Sequence, residues 1–265
     1  LVALRVPLPV AVLALTLAVY AGLFGTRLLF VAAHAPQLFR ADPDLAIAFW
    51  QGGLAWFGGL LPGAAAFALV LRLARLPVWP GLGALAAPLA LAHAIARVGC
   101  WLRGCCHGLP TDLPWGVFHP LHGERLHPTQ FYSAGAELVV AALLHTLWVR
   151  YPAQRRLLFP LYALLLGAHR FVTEAWRATP DGPELIPGLR FYQVVALLAM
   201  LAAALALLTL WRPRLGVRIG LAVSLALSAL LAWAHPQPTA RTPAFVVAAP
   251  ALAPALAPDQ AHLIA

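Results

Sequence analysis

Apolar runs of about 20 residues, closed by small arginine clusters, recur along this chain and constrain it more than any other feature. A run of that length matches a hydrocarbon core of ~30 Å crossed at about 1.5 Å per helical residue. Inside lipid every backbone N–H and C=O must be satisfied within its own segment, so such runs are helices. In order, the expected spans are roughly 9–31, one ending near Leu71, then 79–99, 132–149, 157–176, 192–211 and 219–234. The expected fold is therefore all-α: a polytopic membrane helical bundle of about seven spans with a small outward-facing polar head loop. Residues 1–234 read as one transmembrane domain, and the Ala/Pro-rich 235–265 as a disordered tail.

The chain opens at Leu1 without Met, which leaves room for an upstream piece. Its first run is too long and too uncharged for a signal peptide, and no small-residue cleavage site follows a short core. The segment Phe49-Trp50-Gln51-Gly52-Gly53, continuing to Gly58-Gly59-Leu60, reads as a broken or closely packed helix entry with tryptophans at headgroup level.

The arginines set orientation. Arg72/Arg75, Arg150/Arg155/Arg156 and Arg212/Arg214/Arg218 fall at alternate turns and can all lie on the cytoplasmic side. The connector with Asp42, the polar stretch 97–131 and the connector with Asp181 then share the opposite, periplasmic side. Hydrophobic residues make up 62% of the chain and charged residues 10%, against roughly 25% charged in a soluble domain. The net charge of +9 suits anionic headgroups. Nucleic acid is not an expected partner, because the arginines are scattered between apolar runs and form no soluble basic face.

One polar island interrupts the apolar sequence. It starts at Ala96-Arg97-Val98-Gly99-Cys100, continues through Cys105-Cys106-His107-Gly108, and ends at His127-Pro128-Thr129-Gln130. It holds all three cysteines and four of the ten histidines: His107, His119, His122 and His127. Thiols beside an imidazole are zinc-ligand types, but no Cys-x2-Cys spacing supports a metal. A disulfide from Cys100 to Cys105 or Cys106, or plain packing, is the expected use of the thiols. No metal and no cofactor are expected.

The order Trp-x-Gly-Gly-x4-Gly-Gly, Arg-x-Gly, His-Pro-Thr-Gln-x-Tyr (127–132) and Arg-Phe-x2-Glu-x2-Arg-x2-Pro-Asp (170–181) resembles the prolipoprotein diacylglyceryl transferase family. The resemblance covers about residues 20 to 211. It implies a multi-pass transferase of the bacterial inner membrane that moves diacylglycerol from phosphatidylglycerol to the lipobox cysteine of a prolipoprotein signal peptide. Its expected partners are therefore phosphatidylglycerol, prolipoprotein signal peptides and membrane lipid. Within the family signature Arg97, Gly99 and Gly108 fit. Ala96, Cys100, Trp101, Arg103 and Cys105 replace its first glycine, first Asn, Phe, second Asn and Glu. Phe57 stands where the family usually has a histidine, Leu166 replaces a tyrosine, and Ser133 replaces a Glu.

That chemistry needs a thiolate nucleophile and donors for a departing phosphate. Arg97 and Arg170 fall near the outward ends of apolar spans, where an ionisable group is costly and points to function. They are the expected phosphate clamp, since the guanidinium fork suits phosphate better than an ammonium. Glu174 and Arg177 follow Arg170 by four and seven residues and share its helix face, so Glu174 is expected to hold the arginines. His127, with a reference pKa near 6.5, is the expected base; His169 adjoins Arg170. Gln130 and Tyr132 are expected to bond the headgroup, and Gly99, Gly108 and Arg177 to line its site. Two other classes are a divergent relative with another acceptor or no catalysis, and a small-molecule transporter. No internal inverted repeat is visible, which counts against transport.

Overall fold

A computed structural model describes residues 2–33, 44–49, 53, 55–119, 122–178, 184–186 and 188–210. Its long helices are α1 (Leu8–Ala33), α2 (Trp56–Leu73), α3 (Val78–Leu102), α4 (Thr129–Arg150), α5 (Leu158–Glu174) and α6 (Phe191–Leu210). Two antiparallel hairpins accompany them: β1 (Val117–His119) with β2 (Glu124–Leu126), and β3 (Glu184–Ile186) with β4 (Leu189–Arg190). All of the helices but α5 are long and apolar enough to cross a membrane. At 17 residues, α5 covers only about 26 Å at the helical rise. Six expected spans thus fall on helices α1–α6, five of them long and apolar enough to cross. The seventh, 219–234, and the tail 235–265 lie outside the described residues, as do Trp50, Gln51 and Gly52.

Large apolar side chains point outward along the helices, among them Leu73 (75% exposed), Val139 (69%) and Leu201 (68%). A soluble monomer rarely leaves such continuous apolar surface to water; a bilayer is the solvent that suits it. The protein is an all-α, multi-pass membrane protein.

The chain forms two compact units, one holding α1 and α2, the other α3 to α6. In the first unit the helix pair closes on glycine. A Cβ on Gly59 would meet Thr26 Cγ2 at 2.6 Å and Gly22 O at 2.9 Å, and one on Gly25 would meet Pro62 Cγ at 2.7 Å. Small residues let backbones touch where lipid offers no hydrophobic drive between helices. Arg27, only 5% exposed, donates from Nη1 to Gly53 O at 3.1 Å.

In the second unit α3 packs on α4 and α5 on α6, and α5 also touches α3 and α4. Tyr162, Leu144 and Leu166 form fully buried parts of this bundle. Gly167 admits α6 closely, since a Cβ there would lie 2.6 Å from Met200 Cγ. Helix α3 ends in a Schellman turn: Gly104, at φ 72°, donates to Trp101 O at 3.0 Å and Cys105 N to Cys100 O at 3.1 Å. The polar island begins in the last turns of α3 and runs on through that turn.

Candidate active site in the four-helix unit

The island folds back between two other segments. Gly108 N donates to His127 O at 2.8 Å and His127 N to Leu109 O at 3.0 Å; Leu109 N donates to Trp176 O at 2.8 Å. The strip 107–110 therefore joins the entry of α4 to the exit of α5. Gly108 is the pinch point, because a Cβ would sit 2.5 Å from His127 Cβ and 2.8 Å from Trp176 O. Its role is close backbone approach. Gly99, by contrast, has no described atom within 4 Å of where its Cβ would be, so the surface beside Arg97 is open there.

At the exit of α5 the expected arginines converge on one carboxylate. Glu174 is fully buried, and its Oε2 lies 2.7 Å from Arg170 Nη2 and 3.8 Å from Arg177 Nη1. The Arg170 guanidinium also rests over the Tyr192 ring at 5.2 Å. Arg190 joins from β4, donating from Nη1 to Glu174 O at 2.8 Å and Arg177 O at 3.2 Å. Gln193 Oε1 accepts from the Arg190 amide at 3.1 Å. Two guanidiniums thus share one buried carboxylate while a third, that of Arg190, bonds the backbone carbonyls beside it, leaving an excess of positive charge at the end of the spans.

Arg97 is tied into the bundle by a different route. Its Nε donates to His93 Nε2 at 3.2 Å, one turn below on α3. His93 Nδ1 stands 3.2 Å from Glu137 Oε1 of α4, and His169 Nδ1 of α5 stands 3.4 Å from the same oxygen. Because His169 precedes Arg170, this buried row runs from one expected clamp residue to the neighbour of the other. His93 and Glu137 were not singled out by sequence reasoning. Their signal was a polar side chain inside an apolar run, with His93 four residues before Arg97 on the same helix face.

The motif His127-Pro128-Thr129-Gln130 does much of its work on the loop. Thr129 Oγ1 donates to Cys106 O at 2.6 Å, and Gln130 Nε2 to Cys105 O at 2.6 Å. Gln130 is thus engaged as a loop fastener. Trp115 Nε1 donates to Tyr132 Oη at 2.9 Å, and Tyr132 Oη is 3.2 Å from His127 Nδ1. Indole can only donate, so the tyrosine proton remains for His127 Nδ1. Burial lowers the His127 pKa below the ordinary histidine value. The neutral imidazole, a proton acceptor, therefore prevails at neutral pH.

Of the two expected uses of the thiols, a disulfide or plain packing, the disulfide is not formed: Cys100, Cys105 and Cys106 are free thiols, with their sulfurs within 4.8 Å of one another. The Schellman turn explains the proximity, because it brings Cys105 back over Cys100. Cys106 occupies a left-handed φ of 65°, a conformation uncommon for a residue bearing a Cβ. Its thiol is held well below the usual range, first by the Cys100 and Cys105 thiols and further by the charges of Arg177 and Arg97. The Cys105 thiol is pushed up by the Cys100 and Cys106 thiols and by burial. A second cluster, of His107, His119 and His122, also brings its nitrogens within 4.8 Å. Sequence spacing hid it, because His119 and His122 meet His107 only when the β1–β2 hairpin folds over the loop.

A helical membrane bundle with a hairpin head and a buried, arginine-rich polar centre defines the class. The family model described as prolipoprotein diacylglyceryl transferase matches residues 9–209. Over 198 residues the chain is 28% identical to the phosphatidylglycerol–prolipoprotein diacylglyceryl transferase of Synechococcus elongatus, covering 69% of this chain and 67% of the relative. The Clostridium tetani protein of that name is 31% identical over 168 residues, 61% of this chain and 66% of the relative. A second such transferase of Streptomyces coelicolor is 34% identical over 198 residues, 70% of this chain and 61% of the relative. The matches thus span about three fifths to two thirds of the relatives' length. The chain belongs to the prolipoprotein diacylglyceryl transferase family.

Proposed function

We propose that this protein transfers the diacylglyceryl group of phosphatidylglycerol to the cysteine thiol of a prolipoprotein signal peptide. The observation that carries the reading is the buried Arg170–Glu174–Arg177 cluster with the half-buried Arg190 on its backbone, whose excess positive charge meets the spans' polar end. Residues 1–234 act as one transferase domain in the bacterial inner membrane. The hairpin head faces the periplasm, because the other turns gather Arg72/Arg75, Arg150/Arg155/Arg156 and Arg212/Arg214/Arg218.

In the reaction a sulfur–carbon bond forms at the glyceryl carbon and the carbon–oxygen bond to phosphate breaks. Glycerol phosphate leaves with the electron pair, and the thiol proton must be taken up. Arg97 and Arg170 hold the phosphate and stabilise the charge that builds on it. The row His93–Glu137–His169 fixes Arg97 from below. The thiol proton passes to Tyr132 Oη as the tyrosine's own proton moves to His127 Nδ1. Arg177, Gly99 and Gly108 shape the site, with Gly108 acting through backbone closeness.

The test is incubation of the protein in membranes with labelled phosphatidylglycerol and a lipobox peptide. Transfer of label to the peptide thiol supports the reading; lipid binding without transfer refutes it. Phe57, buried within α2 where the family usually carries histidine, favours as second reading a relative that delivers the group to another acceptor. Label leaving the lipid for a product other than the peptide would identify that case.

A further inference from the structure

The three imidazoles of the head converge in a way the transfer reaction does not use. His107, on the loop after α3, meets His119 at the end of β1 and His122 in the hairpin turn. Their ring centroids are 5.0, 4.5 and 4.6 Å apart for 107–119, 107–122 and 119–122. All three are half-buried, and one nitrogen from each falls within 4.8 Å of the others.

The outer hydrogen bonds fix which nitrogens turn inward. His107 Nδ1 is 3.4 Å from Gly108 O and His119 Nε2 is 3.2 Å from Gly104 O, so each can donate to a backbone carbonyl. That is the support metal-bound histidines use to set tautomer and ring orientation. It leaves His107 Nε2 and His119 Nδ1 carrying lone pairs. His107 Nε2 lies 3.0 Å from His122 Nε2. His119 Nδ1 is buried and has no hydrogen-bond partner among the described residues, which is unusual for a polar group. Zn–N bonds of about 2.0–2.1 Å put tetrahedral ligand nitrogens roughly 3.3 Å apart, close to the 3.0 Å between His107 Nε2 and His122 Nε2 and inside the 4.8 Å that bounds the trio.

We propose that His107 Nε2, His119 Nδ1 and His122 Nε2 form a binding site for a borderline divalent transition-metal ion of the zinc class. Three imidazoles leave a coordination position for water or another donor. Bound there, the ion ties the β1–β2 hairpin to the loop whose Cys105 and Cys106 carbonyls are held by Gln130 and Thr129. The site is separate from the thiol trio, whose softer sulfurs would give a different ligand field.

The experiment uses the full chain without a histidine tag, in lipid nanodiscs, stripped by chelator and titrated with Co2+. Stoichiometric binding is expected, with the visible bands of a low-coordinate nitrogen and oxygen site and no intense thiolate-to-cobalt charge transfer; Zn2+ should displace the Co2+. Losing an outer-shell support of a ligating histidine typically costs 10–100-fold in affinity, so His107→Gln, His119→Gln and His122→Gln should each cost about a hundredfold or more. A combined Cys100→Ser, Cys105→Ser, Cys106→Ser variant should bind unchanged. No stoichiometric binding by the parent chain overturns the proposal. So does a charge-transfer band that disappears in the serine variant, which would assign the metal to the thiols. Should a histidine variant fail to fold, the parent spectrum decides between these outcomes.

Discussion

Glu174→Gln tests whether the arginine cluster is a place prepared for phosphate. Glutamine keeps the volume and one acceptor of glutamate but removes the charge that Arg170 meets at 2.7 Å and Arg177 at 3.8 Å. Removing one partner of a buried ion pair costs about 3–5 kcal/mol, because the remaining charge stays desolvated. Retention of an acceptor favours the lower figure, about 3 kcal/mol. At about 2–4 °C per kcal/mol for a chain of this size, Tm should fall by about 6–12 °C. The assay is thermal unfolding in detergent supplemented with zwitterionic lipid. Adding phosphatidylglycerol should then narrow the difference, because the lipid phosphate returns a negative charge to the guanidiniums. A ligand at about a hundredfold its Kd adds about 2.7 kcal/mol to any binder, so the variant must gain more than the parent. Equal gains in both proteins, or an unchanged Tm in the variant, would refute the idea that the carboxylate and the phosphate serve the same arginines.

Arg97→Ala should remove most transfer activity at equal protein level, and Arg170→Lys should lower kcat/KM by about 10- to 150-fold. The second figure is a lost charged hydrogen bond of about 1.5–3 kcal/mol at about 1.36 kcal/mol per decade; either variant at full activity removes that arginine from the clamp. Because burial lowers the His127 pKa, transfer should persist as pH drops through 6.5 and then fall by a decade per unit below the lowered value. His127→Phe should abolish that acidic limb, and an unchanged profile would move the base elsewhere. The same shift makes folding weaken as pH falls below the unfolded imidazole's value, since the folded state resists protonation. Gly108→Ala should unfold the head at lower temperature than the bundle, read by hydrogen exchange at 107–110, since its Cβ would overlap His127 and Trp176. A cysteine placed at residue 181, in a chain with its own cysteines changed to serine, should react with an impermeant reagent in intact cells. One placed beside Arg155 should stay protected; the reverse pattern would put the head in the cytoplasm.

The helices were legible because lipid makes length and hydropathy sufficient evidence. The run expected over 79–99 is helix Val78–Leu102, and the run over 132–149 is Thr129–Arg150. The Arg170–Glu174–Arg177 face was legible for a related reason, since helical spacing alone makes those side chains neighbours. What escaped was everything that depends on one helix meeting another. His93 and Glu137 are ordinary single polar residues in their own runs, and only the contact of α3, α4 and α5 aligns them with His169. The hairpins escaped as well. Strands of two or three residues carry no periodicity, and β1 pairs with β2 through a register set by tertiary contacts. The contacts of Gln130 with Cys105 O and of Gly108 with His127 and Trp176 escaped for the same reason, because they join segments that sequence cannot place side by side.

The replacements at Cys105 and Ser133 remove carboxylates that the family motif carries, yet the centre is not left without one. Glu137 sits on α4 one turn after Ser133, buried to 1% exposure between two imidazoles. A carboxylate so enclosed serves orientation better than proton transfer to a substrate. It holds His93, and through His93 it holds Arg97. In the proposed mechanism proton acceptance then falls to His127, which is only half-buried and whose pKa burial lowers. General-base help is typically worth 10²–10⁴-fold, so where the proton goes decides whether this chain is a fast or a slow enzyme. The phosphate clamp decides only whether it acts on the lipid at all. Placing the two roles on different segments, the arginines on α3 and α5 and His127 ahead of α4, lets one diverge while the other is kept.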